Sequence, residues 1–102
     1  MPQVAEALQR LHRELAFARQ QNETTLKIIH GYGSSGAGGD IRIAIQKRVH
    51  ELAAENKIRA CIFGEDWSKS HDESWKLLQS QPALKSDHDL GRRNRGITIV
   101  LL

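Results

Sequence analysis

The stretch Leu26-Lys27-Ile28-Ile29-His30-Gly31-Tyr32-Gly33-Ser34-Ser35-Gly36 carries the reading of the fold. Residues 24–30 form a short, β-branched run, as expected of a buried strand. Five of the chain's eight glycines then fall between Gly31 and Gly39. Asp40 stands as a good N-cap before Ile41, Ala44, Ile45, Val49 and Leu52, whose spacing predicts an amphipathic helix ending near Glu55-Asn56. Ile58-Arg59-Ala60-Cys61-Ile62-Phe63 reads as a second strand. Two strands joined by a helix make a βαβ unit, so both strands are expected to point the same way, in a parallel, right-handed arrangement.

Working outward, Val4, Leu8, Leu11, Leu15 and Ala18 recur at helical spacing and predict a helix over about residues 3–20. Beyond Gly64, Ser70-x-x-Glu73 resembles a capping box, and Trp75, Leu77 and Leu78 give an apolar side to a short helix over about 70–80. Trp67 and Trp75 are expected to pin this long insertion to the domain. Residues 83–96 read as loop, and Gly96 hands over to a final strand, 97–102.

The composition limits the alternatives. At 102 residues the chain holds material for one domain, 1–102. With 39% hydrophobic and 26% charged residues it is neither disordered by composition nor a membrane protein. Its longest apolar stretch, Ile97 to Leu102, falls far short of the ~20 residues that span a bilayer. No secretory signal is readable at the N-terminus, so a cytoplasmic address is expected by default. The lone cysteine, Cys61, sits in a β-type run and reads as a small hydrophobe. Fifteen basic against twelve acidic residues give a net charge of +3, compatible with a polyanionic partner but equally with ordinary solubility. The sharpest cluster is Arg92-Arg93-Asn94-Arg95, bracketed by Gly91 and Gly96. It offers three guanidinium groups without an evident rigid frame.

Gly31, Gly33 and Gly36 satisfy G-x-G-x-x-G between a strand and a helix, where backbone N–H groups and a helix N-terminus can face phosphate. No Lys-Ser or Lys-Thr follows, which removes support for a Walker A loop, and the chain is too short for two mononucleotide-binding halves. The glycines could equally serve only a tight turn.

The same run, with His30-Gly31-Tyr32-Gly33 as an H-G-x-G motif and Asn94-Arg95-Gly96-Ile97-Thr98-Ile99-Val100-Leu101 as a glycine-then-strand ending, resembles the small MutS-related (Smr) domain over nearly the whole chain. The resemblance implies an α/β two-layer sandwich with a mixed sheet of about three strands, like the C-terminal domain of bacterial translation initiation factor three, with the last strand antiparallel to the others. It also implies nucleic-acid binding, DNA or RNA, and in some members DNA nicking or RNA endonuclease activity. The L-D-x-H motif linked to cleavage occurs nowhere in this sequence. The chain is therefore expected to begin inside the helix after that strand, and to bind nucleic acid while cutting it poorly.

With an antiparallel last strand, the glycine loop, Glu65-Asp66, and Arg92, Arg93 and Arg95 all gather at one rim of the sheet, where open α/β folds place ligands. His30 is the candidate acid or base, though it could equally cap the loop by hydrogen bonding. Gly31, Tyr32, Gly33, Ser34, Ser35 and Gly36 are the candidate nucleic-acid contacts, with Tyr32 placed either to stack on a base or sugar or to fold back over the loop, and Arg92, Arg93 and Arg95 join them as phosphate contacts. Asp87-His88-Asp89 and His71-Asp72 match no recognised metal spacing, and no cofactor is implied. An exposed sheet edge leaves room for a homodimer or an added strand.

Overall fold

A computed structural model describes residues 2–31 and 37–102. Its elements are α1 (Pro2–Gln20), β1 (Thr25–Ile29), α2 (Ala37–Ala54), β2 (Ala60–Phe63), α3 (Asp72–Ser80) and β3 (Ile97–Leu101), with 3-10 turns at Gly64–Asp66 and Pro82–Ser86. Among the described residues no helix is long and apolar enough to cross a membrane.

Both long helices stop by the same device. Asn22 and Asn56 adopt left-handed backbone, φ 57° and 59°. The N–H after each reaches back to the helix, Glu23 N to Ala18 O at 3.0 Å and Lys57 N to Leu52 O at 2.9 Å. This double-bonded ending satisfies carbonyls that the helix leaves open and turns the chain toward the next strand. Asparagine tolerates the positive φ because its short polar side chain bonds locally.

Two helix starts differ from expectation. α2 begins at Ala37, so Asp40 lies inside the first turn and is not the N-cap. Glycine is a weak helix former but meets no steric bar there, and Asp40 still faces the positive end of the helix. α3 is capped by His71, whose Nδ1 accepts from Ser74 N at 3.3 Å, and not by Ser70. A ring nitrogen one residue later reaches the open N–H that the serine hydroxyl was expected to take.

The strands run β1-β3-β2, and both ladders are antiparallel. β1 and β2 therefore point the same way, as expected, but they are not neighbours. The described sheet is antiparallel and not mixed, because the most apolar strand, β3, takes the centre. Ile97 through Val100 are all buried there. Pairing on both edges satisfies β3's backbone while both faces bury side chains.

Alternation along the strands divides the core. Ile28 and Val100 pack with Leu11, Leu15, Ile45, Val49, Leu52 and Ile58 under α1 and α2, and Cys61 packs against them. Ile62, Ile97 and Ile99 face the other way, onto Trp67, Leu77 and Leu78. The helical pair and the sheet form two layers, and residues 64–90 cover the second face. Each fully buried aliphatic side chain in these clusters contributes about 1.5–3 kcal/mol. Trp67 is the expected pin at 1% exposure, whereas Trp75 is 41% exposed and lies under the Lys85 ammonium, 5.9 Å from the ring centre.

Candidate functional site

Strand direction assembles the rim. Since β1 and β2 both oppose β3, the ends of the first two strands meet the start of the third. The N–H groups of His30 and Gly31 both donate to the Gly96 carbonyl, at 3.0 and 2.9 Å. Gly31 has φ +73°, a conformation glycine adopts without strain. A β-carbon on Gly96 would lie 3.2 Å from the Gly31 α-carbon, and one on Gly64 would lie 1.8 Å from the Asn94 carbonyl oxygen. Three chain segments thus converge where side chains would hold them apart. Tyr32, Gly33, Ser34, Ser35 and Gly36 lie outside the described residues, as does most of the expected anion pocket of the glycine loop.

His30 is half-buried at this convergence. Its Nδ1 lies 2.6 Å from Gly31 O and its Nε2 lies 2.9 Å from Thr98 Oγ1. A carbonyl only accepts, so Nδ1 carries the proton and Nε2 accepts from the Thr98 hydroxyl. Burial lowers the His30 pKa below its ordinary 6.5; the backbone bond to Gly31 works against this, and the Arg42 charge reinforces the lowering while Glu65 opposes it. The imidazole is therefore neutral at pH 7, with both nitrogens engaged.

Arg92, Arg93 and Arg95 are exposed and border a hollow shared with His88, Asp89 and Asn94. The loop has the frame that its sequence concealed. Lys27, at the middle of β1, pairs with Asp87 at 3.1 Å and also with Asp89. Asp89 Oδ1 accepts from Asn94 Nδ2 at 2.9 Å, and Asn94 Oδ1 accepts from Gly96 N at 2.8 Å. Asp87 Oδ2 accepts from the Trp67 indole at 2.9 Å, and Gly91 N donates to Trp67 O at 2.8 Å. Each end of the arginine run is tied to the sheet or to the second core. Within it, Arg93 takes φ 54°, a sparsely populated conformation for a non-glycine residue that its surroundings must hold.

Electrostatics follow from this frame. Burial opposes the charge of Lys27, but hydrogen bonds to Asp89 and Asp87 more than offset it, and its pKa rises. Hydrogen bonds from Lys27 and Asn94 hold Asp89 below the usual carboxylate range. Asp87 and Asp89, whose spacing matches no metal site, are structural anchors. Lys27 escaped notice because a lone lysine in a strand reads as a solvent-facing position. Among the described residues no group of three or more His, Cys, Asp or Glu side chains could hold a metal ion.

A groove of about 800 Å³ runs between α1 and β1, lined by Arg10, Arg13 and Glu14 from the helix and by Ile28, Ile29 and His30 from the strand and its end. β1 pairs only with β3 among the described residues, so this groove follows a free sheet edge.

The family model for the Smr domain matches residues 2–69. No curated protein and no solved structure gave a match.

Proposed function

Because the chain belongs to the Smr domain family, whose members are generally nucleic-acid-binding or endonuclease-related, we propose that it is a cytoplasmic domain that grips a phosphodiester backbone at the rim. In this reading His30, Gly31 and the glycine loop from Tyr32 to Gly36 contact the nucleic acid, and so do Arg92, Arg93 and Arg95. The observation that supports this reading is the pair of hydrogen bonds from His30 N and Gly31 N to Gly96 O, which joins the end of β1 to the residue that closes the arginine loop. Guanidinium groups supply charge for phosphates, and glycines allow a backbone to come close. The test is binding of labelled single-stranded, duplex and branched DNA and RNA across a salt series. Affinity that falls steeply with salt supports the reading, and no binding at low salt ends it.

An endonuclease with His30 as acid or base is the second reading. A neutral imidazole suits a base, yet Thr98 holds the lone pair that the base would use, so slow or absent cleavage is expected. Nicking that disappears in His30→Ala would promote this reading. A homodimer through β1 is a third, favoured by its free edge and by Ile29, 78% exposed on it. Light scattering at rising concentration decides it.

A further inference from the structure

The arginine loop borders a hollow of about 540 Å³, lined by His88, Asp89, Arg92, Arg93, Asn94 and Arg95. Its side-chain oxygens already serve the frame. Asp89 gives one oxygen to Asn94 Nδ2 and the other to Lys27, and Asn94 Oδ1 is taken by Gly96 N. What remains on the wall is mainly donors. The three guanidinium groups are exposed, and the backbone N–H groups of Arg93, Asn94 and Arg95 donate to no acceptor among the described residues. Successive N–H groups beside a residue with left-handed backbone form a concavity that takes anions, and Arg93 has φ 54°. Glycine would adopt that backbone without strain, yet an arginine stands there. A strained residue held by its surroundings points to a use for its side chain.

Charge and shape narrow the ligand. Apart from His88, the three arginines and Lys27 against Asp87 and Asp89 leave a surplus of two positive charges around the hollow. A phosphodiester inside a strand carries a single negative charge, whereas a terminal phosphate carries about −1.5 to −2 at pH 7 and offers three acceptor oxygens. Successive backbone phosphates would call for charges set out in a row. Three guanidinium groups around one hollow, within the run Arg92–Arg95, suit a single phosphate that presents oxygens in several directions. We propose that the arginine hollow receives the terminal phosphate of a nucleic-acid strand, so that phosphorylated ends bind more tightly than ends that carry only a hydroxyl. This rests on the nucleic-acid reading above and adds the substrate class to it.

The experiment measures, by fluorescence anisotropy with the whole chain, internally labelled single strands of one sequence that carry a phosphate at the 5′ end, at the 3′ end or at neither. A hydroxyl-ended strand lengthened to the same total charge is the control for added charge alone. The expected result is a phosphorylated end that binds about tenfold tighter than the charge-matched strand, the scale of one hydrogen bond to a charged group. Which end does so gives the polarity of the site. A variant with Arg92→Ala, Arg93→Gly and Arg95→Ala removes the guanidinium groups while glycine relieves the positive φ at position 93, so it should keep the fold and bind phosphorylated and charge-matched strands alike. Phosphorylated strands that bind the unaltered protein no tighter than the charge-matched strand overturn the proposal and leave the backbone-gripping reading standing, a result independent of whether any variant folds. So does a preference that survives in the folded variant. Absence of binding to every strand overturns both readings together.

Discussion

Lys27 at the centre of β1 and Asp89 in the loop before the arginines form an ion pair that joins an edge strand to the proposed binding loop. Their side chains are 27% and 13% exposed, so solvent screens the pair only partly and its loss strands charge near the second core.

Lys27→Met should leave Asp87 and Asp89 uncompensated and cost about 1–3 kcal/mol in urea unfolding. The pH window follows from the directions of shift. Asp89, depressed when folded, contributes stability above about 3.8 that is lost as pH falls through its folded value. Lys27, raised when folded, contributes stability that is complete below about 10.5 and lost as pH rises through its folded value. Between those limits the difference between the wild type and the variant should stay flat, and a difference that varies strongly near neutrality would count against this assignment.

Replacing Arg92, Arg93 and Arg95 together with alanine should lower the magnitude of the log affinity against log salt slope by up to about 2.7 for duplex DNA, at roughly 0.9 per phosphate contact. Since the loop is framed by Asp89 and Asn94, Asn94→Ala should lower affinity with less change in slope, because it disorders the charges without removing them. A triple variant with wild-type affinity and slope would mark the loop as a solvated surface.

Acid should destabilise the protein through His30. Its folded pKa lies below 6.5, so between that folded value and 6.5 the unfolded chain binds more protons and stability falls as pH falls. His30→Gln should flatten this part of the stability profile, and NMR titration of the imidazole should give a midpoint below 6.5. A midpoint at or above 6.5 would refute the neutral, doubly bonded imidazole.

Gly64→Ala should be among the most damaging single changes. Its β-carbon would sit 1.8 Å from Asn94 O and 2.8 Å from Ile97 Cγ1, and backbone must move to admit it. A loss of about 3 kcal/mol or more is expected from thermal melts, large for adding one methyl group. Gly91→Ala meets nothing within 4 Å, so it should cost only the strain of positive φ, on the order of 1 kcal/mol.

The sequence by itself determined the order of helices and strands and which apolar positions face a core, while the end of the sheet where β1 meets the start of β3 followed from the family resemblance, which implied an antiparallel last strand. The first two depend on periodicity, which neighbouring residues encode. Val49 and Leu52 are buried as their spacing requires, and Gly31 and Gly96 come together because β3 opposes β1. Only the tertiary structure decided that β3 sits between β1 and β2, since both candidate neighbours present similar short apolar edges and the outcome depends on which pairing covers the most apolar strand on both faces. It also decided that Lys27 is an anchor and that the arginine loop is framed. The pair joining Lys27 to Asp89 spans 62 positions of chain, and no local propensity, cap or period records a bond formed only when two distant segments pack together.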